Sequence, residues 1–274
     1  MAKRTFTDQL GREIEVSYPP EKIVSLVPSQ TELLFDLNLN DKISALTKFC
    51  IHPESLVVYK EIIGGTKKLH LDKIASIAPD LIIANKEENT RSEIEELALK
   101  FPVWISDIQT LDHALEMIRS IGELTNTEEK ACQIEDSIRS NFDELRPLQK
   151  SLGAVYLIWR KPYMSANSKT FIHDMLLRVG LTNLCADEAE RYPEISEEQL
   201  VALNPDIILL SSEPFPFDEN HMHELARILP ESRICLVDGE LFSWYGSRLL
   251  HSPDYFKKLG QHISEAANNH ASRL

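Results

Sequence analysis

The chain has 274 residues, a formal net charge of −14 and 43% hydrophobic residues. This length allows one large domain or two lobes, and the apolar content is sufficient to build their cores. The acidic balance argues against a nucleic-acid partner, because the phosphates would be repelled. Mean hydropathy is −0.22, and no apolar run approaches the roughly 18 residues that cross a bilayer. We therefore expect no transmembrane helix.

The first elements in chain order predict the start of an α/β lobe. Residues 1–20 predict an extended edge segment with a turn near Gly11, and the apolar run 23–27 predicts a strand buried on both faces. A helix is expected to start at Ser29, with Glu32 in capping-box spacing. A second short strand is predicted over residues 43–46.

Two distant stretches of the chain share one pattern. Residues 71–84 read LDKIASIAPDLIIA, and residues 197–210 read EEQLVALNPDIILL. Each has an acidic residue near its start, an amphipathic helical stretch, a Pro-Asp break and an apolar run. A repeat at this distance indicates a duplicated lobe rather than a solenoid, whose period is 20–50 residues. Two such lobes would enclose a cleft, where we expect the function to lie.

The remaining periodicity completes the predicted fold. A charged helix is expected over residues 87–100 and a strand over 103–105, and the helical pattern from residue 127 to 148 spans about 30 Å. Strands over 155–158, 207–210 and 234–237 repeat the order of the first lobe. The fold class is therefore α/β, with two Rossmann-like lobes of parallel sheet joined by one long α-helix. The predicted domains are 1–124 with its leading extended segment, the connecting helix 125–149, and 150–274.

The sequence contains no signature of catalysis or of metal binding. There is no phosphate loop, dinucleotide-binding turn, nucleophile elbow or HExxH motif. The only closely spaced histidines are His221 and His223, which we place in a polar loop, so we expect no metal site and no intrinsic cofactor. The free amides of the helix that starts near Ser29 could hold an anionic or amide group of a ligand. A simple N-cap role for Ser29 fits equally well.

Aromatic residues are frequent in the loops that leave the carboxyl ends of the predicted strands. They are Phe49, Trp159, Tyr163, Tyr192, Phe215, Phe217, Phe242, Trp244 and Tyr245. Ligands of open parallel sheets bind outside these strand ends, and flat side chains there suit a large planar ligand oriented by Arg160, Arg191 and Arg248. Phe215 and Phe217 could instead pack only their own loop. We expect exposed aromatic side chains in the segment 242–248, which would indicate a binding surface.

Asp72 and Glu198 occupy the same place in the two repeats, each at a predicted helix start. Stabilisation of the helix dipole accounts for both acids without a partner. Alternatively, two equivalent corners could be gripped by the arginines of a two-fold symmetric partner. The residues alone leave both interpretations open.

The chain resembles the ABC-importer substrate-binding proteins with a helical backbone, the group that includes cobalamin, ferric-siderophore and haem receptors. The likeness extends over about residues 23–259. It is clearest in IVSLVPSQTEL at 23–33, in both repeats and in YPEIS at 192–196. Within the group, the chain is most similar to the periplasmic cobalamin receptors. The resemblance implies a non-enzymatic protein with its ligand between the two lobes. It also implies that Asp72 and Glu198 dock onto permease arginines.

The resemblance also implies which residues bind the ligand. Together with the aromatic and arginine pattern, it predicts Pro28, Ser29, Gln30, His52, Arg160, Tyr163, Tyr192, Glu240, Phe242, Trp244, Tyr245 and Arg248. Cobalamin receptors have Trp, Tyr and Arg where this chain has Thr66, His52 and Trp244. A corrinoid is therefore the favoured ligand within a wider class of metal chelates that includes ferric siderophores and haem. His52 could supply an axial ligand to the bound metal.

We therefore expect a monomeric substrate-binding protein that captures a metal chelate and delivers it to an ABC permease. The resemblance implies a periplasmic or membrane-anchored location, although the sequence shows no secretion signal, which leaves a cytoplasmic location open. Three alternatives remain: a receptor for a bare transition metal, a cytoplasmic Rossmann-type enzyme, and a cytosolic chelate-binding module without a transporter.

Overall fold

The computed structural model describes residues 2–271, with side chains described through residue 265. These residues form two compact units. Unit 1 comprises residues 2–108, 112–139 and 244–250, and unit 2 comprises residues 109–111, 140–243 and 251–271. The boundaries predicted at 124/125 and 149/150 stay a prediction. The segment 244–250 belongs to unit 1 although it follows most of unit 2 in sequence.

Unit 1 contains a five-stranded sheet and a separate amino-terminal hairpin. Its elements are β1 (Ala2–Thr7), β2 (Glu13–Tyr18), β3 (Ile23–Ser25), α1 (Pro28–Asp36), β4 (Ile43–Leu46), α2 (Glu54–Val57), β5 (Glu61–Ile62), β6 (Gly64–Gly65), β7 (Lys68–Leu69), α3 (Leu71–Ile77), β8 (Leu81–Asn85), α4 (Arg91–Ala98) and β9 (Val103–Ser106). The hairpin β1–β2 is the extended segment that the sequence predicts.

The helices α5 (Leu111–Thr125) and α6 (Glu128–Glu144) follow. Residues 128–139 of α6 belong to unit 1 and residues 140–144 to unit 2. This continuous helix carries the chain from one unit to the next, as predicted. It ends four residues before the expected Leu148, because Pro147 disfavours helical backbone at the residue before it.

Unit 2 contains a four-stranded sheet. Its elements are β10 (Leu152–Leu157), β11 (Tyr163–Met164), α7 (Phe171–Val179), β12 (Leu181–Asn183), β13 (Glu194–Ile195), α8 (Glu197–Leu203), β14 (Ile207–Ser211), α9 (Glu219–Ile228), β15 (Arg233–Val237), α10 (Glu240–Ser243) and α11 (Ser252–Ala271). One face of β10 and β14 packs against Leu200 and Leu225, and on the other face Tyr156 contacts Phe242. The sheet is thus buried on both faces, as a parallel sheet requires.

Both main sheets are parallel throughout, which confirms the predicted fold class. The strand orders are β5-β4-β3-β8-β9 and β12-β10-β14-β15. The chain therefore winds outward in both directions from β3 and from β10. In such sheets the ligand crevice lies at the carboxyl ends where the winding reverses, between β3 and β8 and between β10 and β14.

The structure confirms that the two repeats have the same conformation. The helices α3 and α8 each contain seven residues and end at a residue in the left-handed region, Ala78 (φ 50°) or Asn204 (φ 45°). The strands β8 and β14 that follow are each five residues long and fully buried. The duplication therefore extends from the sequence to the backbone.

The aspartate of each Pro-Asp pair joins the start of its strand to the start of the neighbouring strand. Asp80 accepts hydrogen bonds from the backbone N–H groups of Glu21 and Lys22, both at 3.0 Å, just before β3. Asp206 accepts one from Gly153 at 2.7 Å, in β10. The carboxylates therefore have the same structural role in the two units.

Two helix boundaries differ from the sequence-based expectation. The helix α4 begins at Arg91 rather than Glu87, because Asn85 accepts hydrogen bonds from the backbone of Glu87 and Glu88 at 2.8 and 2.9 Å. The predicted polar loop around His221 is the start of α9. Its N-cap is Asp218, which accepts hydrogen bonds from two backbone N–H groups of the first turn.

Replacing either strand-joining carboxylate should destabilise the protein. We expect Asp80→Ala and Asp206→Ala each to lower the free energy of unfolding by about 0.5–1.5 kcal/mol, because backbone donors at the protein surface exchange a charged acceptor for water. Urea denaturation measures the change as a lower midpoint with an unchanged slope. The control is Asp143→Ala, an exposed carboxylate on α6, which should leave the midpoint nearly unchanged. Equal midpoints for all three variants would contradict this role.

Candidate functional site

The carboxyl end of β3 leads directly into α1, where three predicted ligand residues lie. Pro28, Ser29 and Gln30 form the first turn of α1, and all three are buried. The N-cap is Val27, with no side-chain capping hydrogen bond and no acidic residue in the first turn. The predicted start at Ser29 and its capping box with Glu32 are therefore wrong. Pro28 occupies the first position, where its missing N–H costs nothing.

Glu32 instead pairs with Arg248 in a bidentate ion pair. Arg248 Nε and Nη2 donate to the two carboxylate oxygens at 2.9 and 2.6 Å. The two side chains are 16% and 15% exposed. The guanidinium carbon of Arg248 also lies 5.1 Å from the ring centroid of Trp244, whose ring meets the His52 ring edge-on at 5.5 Å. Three predicted ligand residues, His52, Trp244 and Arg248, therefore form one cluster in unit 1.

Gly246 allows the segment 244–250 to pack closely against α1. A Cβ atom at Gly246 would lie 2.4 Å from the carbonyl oxygen of Ser29, which is closer than atoms can approach. Any side chain at this position would move the segment away from α1. The close packing and the Glu32–Arg248 pair together hold the segment in unit 1.

The aromatic residues of the segment 242–248 are buried rather than exposed, so that expectation was wrong. Trp244 is 7% exposed, Tyr245 5% and Phe242 fully buried. Phe242 packs in the core of unit 2, with ring centroids 5.2 Å from Tyr156 and 4.7 Å from Phe256. Core packing accounts for Phe242 without a ligand.

A buried polar network holds the loops at the carboxyl end of the unit 1 sheet. Ser106 Oγ accepts hydrogen bonds from Gln30 Nε2 and from Asn85 Nδ2. Asn89 Nδ2 donates to the backbone carbonyls of Leu26 and Thr66, both at 3.2 Å. Gln30 is fully buried, so its place in this network is structural. Sequence reasoning did not find Ser106, Asn85 or Asn89, because a single buried amide leaves no periodic signal.

In unit 2, Arg160 and Tyr163 lie on the hairpin that joins β10 and β11. They line a cavity of about 800 Å³ together with Glu194, Glu197, Glu224 and Arg227. Arg160 forms an ion pair with Glu224 and a hydrogen bond with Tyr163. Burial raises the pKa of the Tyr163 hydroxyl, although the hydrogen bond with Arg160 acts in the opposite direction. The phenol is therefore neutral at physiological pH and can donate a hydrogen bond.

The other predicted residues of unit 2 lie at or near the same loops. Tyr192 is half-buried and precedes β13, whose Ile195 pairs with Tyr163 of β11. Glu240 is half-buried at the start of α10, in the connection that follows β15. The structure thus joins Tyr192 to the Tyr163 hairpin through one strand pair, and Glu240 follows a different strand.

Asp72 and Glu198 are exposed, and each is the second residue of its seven-residue helix. Their equivalent placement at helix starts is confirmed. The Ser196 hydroxyl donates a hydrogen bond to Glu198 at 2.7 Å, and this bond lowers the pKa of the Glu198 carboxyl. Glu198 is therefore charged at neutral pH.

The described residues contain neither a metal-binding cluster nor a membrane-spanning helix. No three His, Cys, Asp or Glu side chains converge on a point in the described chain. His221 caps α9 by accepting a hydrogen bond from the backbone of Asp218 at 3.0 Å. Within the same residues, no helix combines the length and apolarity needed to cross a bilayer.

The Glu32–Arg248 pair should contribute measurably to stability. We expect Glu32→Gln and Arg248→Met each to lower the free energy of unfolding by about 1–3 kcal/mol, because each removes one partner of a largely buried bidentate ion pair. A double-mutant cycle should show a coupling energy of about 1 kcal/mol or more. The control cycle uses Arg91→Met and Glu95→Gln, an exposed pair on α4, and should show no coupling. Additive effects at Glu32 and Arg248 would contradict the interpretation.

Comparison with known proteins identifies the family. The family model "Periplasmic binding protein" matches residues 23–224. The chain is 25% identical to the uncharacterized ABC transporter substrate-binding lipoprotein YvrC of Bacillus subtilis, over 93% of this chain and 87% of that protein. It is 26% identical to the vitamin B12-binding protein of Vibrio cholerae, over 71% of each chain.

The fold is similar to that of solved structures in the same group. The periplasmic heme-binding protein RhuT of Roseiflexus sp. RS-1 superimposes with a TM-score of 0.74 at 21% identity, over 90% of this chain and 99% of that structure. The family model and the names of these relatives all describe binding proteins. The chain therefore belongs to the family of periplasmic binding proteins, and it is a binding protein rather than an enzyme.

Proposed function

We propose that the chain is the substrate-binding protein of an ABC importer and that it captures a metal chelate for delivery to a membrane permease. The observation that carries this proposal is the family match over residues 23–224, supported by the similarity to a transporter lipoprotein over 93% of the chain. Because the chain belongs to a family of binding proteins, we do not retain the alternative of a Rossmann-type enzyme.

The names of the relatives and the chemistry of the loops support a proposal for the ligand class. Relatives of this chain are named for binding vitamin B12 and haem. Both ligands are bulky metal chelates with polar groups around an apolar ring. We propose a corrinoid as the first candidate, with haem and ferric siderophores as members of the same class.

The proposed ligand contacts come from each unit separately. Unit 1 contributes His52, Trp244 and Arg248, which form one cluster beside the start of α1. Unit 2 contributes Arg160, Tyr163, Tyr192 and Glu240. Gln30 and Phe242 support the loops through their contacts with Ser106 and Tyr156, and Tyr245 is buried in the segment 244–250. The location of the ligand between the two lobes stays a prediction of the family resemblance.

We propose that His52 is an axial ligand of the chelated metal. Its ring is half-buried and rests edge-on against Trp244, which limits its orientations. A neutral imidazole is a good ligand for the iron or cobalt of a tetrapyrrole.

The proposed partner is the permease, contacted through Asp72 and Glu198. Both acids are exposed at equivalent helix starts, so a permease with two similar subunits could contact each with an arginine. We propose that the protein acts as a monomer. We also propose that it lies outside the cytoplasm or is anchored to the membrane, which the names of its relatives, a lipoprotein and a periplasmic protein, support.

A ligand screen tests the proposed function directly. We expect one of cobalamin, cobinamide, haemin or a ferric siderophore to raise the melting temperature, because ligand at 100 times its Kd stabilises a protein by about 2.7 kcal/mol. For a tetrapyrrole, His52→Ala should alter the visible spectrum of the complex. Stabilisation by a free transition-metal ion alone would favour the bare-metal receptor instead, and an unchanged His52→Ala spectrum would exclude axial ligation.

The docking acids can be tested separately from ligand binding. We expect the Asp72→Arg, Glu198→Arg double variant to bind ligand normally and to lose uptake through the permease, since opposite charges become like charges. The control is Glu129→Arg with Asp143→Arg, two exposed acids on α6 that give the same change in net charge. Full uptake by the first variant would show that Asp72 and Glu198 only stabilise their helices.

A further inference from the structure

We propose that Trp159 forms an aromatic wall of the binding site in unit 2 and stacks on a flat conjugated ring of the ligand. This inference rests on the proposed function and narrows the ligand class. It favours ring-bearing chelates, such as tetrapyrroles, over chelates that present no conjugated ring.

Trp159 lies at the end of the sheet where a ligand is expected to bind. Trp159 follows β10, and Phe215 follows β14, the neighbouring strand on the side where the winding of the sheet reverses. The two ring centroids lie 5.7 Å apart with an interplanar angle of 71°. This edge-to-face pair therefore lies at the carboxyl ends of the two strands between which a ligand crevice is expected.

The indole ring is held from behind by an aromatic cluster. The Phe215 ring contacts those of Phe217 at 4.8 Å and His221 at 5.3 Å. Phe217 is only 7% exposed and belongs to the core of unit 2, and His221 is fixed by its hydrogen bond from Asp218. The cluster thus connects Trp159 to the core through rings in edge-to-face contact, an arrangement that aromatic pairs favour.

The backbone of Trp159 is also fixed. Met164 N–H donates to the carbonyl oxygen of Trp159 at 3.1 Å, and Ile158 N–H donates to that of Met164 at 2.9 Å. The loop after β14 is joined to the same hairpin, since Phe215 N–H donates to the carbonyl oxygen of Ile158 at 3.3 Å. These bonds fix the backbone from which the indole projects, and the contact with the Phe215 ring limits its orientations, which reduces the entropic cost of binding.

Exposure separates Trp159 from the other tryptophans. Trp159 is 40% exposed, whereas Trp104 is fully buried and Trp244 is 7% exposed. An indole ring that is rigidly held but uncovered offers a flat apolar face without serving the core. Arg160, the next residue, lines the cavity of about 800 Å³, so the same hairpin carries an exposed indole ring and a guanidinium group. This combination suits a conjugated ring that carries polar substituents.

The experiment compares ligands with and without a conjugated ring. Haemin, cobinamide and the ferric complex of the trihydroxamate desferrioxamine B are titrated against the wild-type protein, Trp159→Ala and Trp159→Phe. We expect the Kd of the ring-bearing ligand to rise about two- to tenfold in Trp159→Ala and to recover largely in Trp159→Phe. The control is Leu177→Ala, an exposed apolar residue near the end of α7, which should leave the Kd unchanged.

Tryptophan fluorescence supplies an independent measurement. Acrylamide quenches exposed indoles preferentially, so quenching in the free wild-type protein should come mainly from Trp159. A bound tetrapyrrole shields a stacked indole and also quenches it by energy transfer, so we expect the acrylamide sensitivity of the remaining emission to fall in the wild type and to change little in Trp159→Phe. Circular dichroism and the urea midpoint verify that each variant is folded.

The outcomes distinguish this inference from the proposed function. If the wild type binds none of the chelates, the proposed function is wrong. If it binds a tetrapyrrole and Trp159→Ala binds it equally well, the inference alone is overturned. Binding of the ferric trihydroxamate only, with no effect of Trp159→Ala, would also overturn the inference and would leave the transport function intact.

Discussion

Each unit depends on one carboxylate that joins the amino ends of two neighbouring strands. Asp80 binds the backbone just before β3, and Asp206 binds the backbone of β10. In a parallel sheet, the register at the amino ends determines where the carboxyl ends lie. The loops that carry ligand-binding residues start from those ends. The hydrogen bonds of Asp80 and Asp206, at the opposite end of each sheet from the candidate site, thus help to position the loops that carry the proposed ligand contacts.

The duplicated framework carries different chemistry in its two copies. In unit 1 the carboxyl ends are held by buried amides and hydroxyls around Ser106, and the ion pair Glu32–Arg248 fixes the segment that bears Trp244. In unit 2 the equivalent loops bear an exposed tryptophan and a cavity with charges of both signs. Similar backbones therefore present dissimilar surfaces, which is how one fold can serve many ligands.

The sequence predicts the fold well because its signals are local. The repeat 71–84 and 197–210, the apolar strands and the long helical pattern each depend on neighbouring residues, and the structure confirms all three. The site is less predictable. Glu32 lies in capping-box spacing, yet its partner is Arg248, 216 positions away. The start of α4 depends on the side chain of Asn85, which competes for backbone N–H groups that a helix pattern assumes are free.

The amino-acid sequence by itself determined the duplication, the parallel sheets, the connecting helix and the equivalent positions of Asp72 and Glu198, because periodicity and Pro-Asp breaks act over a few residues. Only the tertiary structure decided which loop aromatics reach the surface. Trp159 follows β10 and Trp244 follows the short helix α10 after β15, but one is 40% exposed and the other 7%. That difference arises from packing between residues far apart in the chain, where burial depends on the neighbours that the fold supplies and leaves no mark on local sequence.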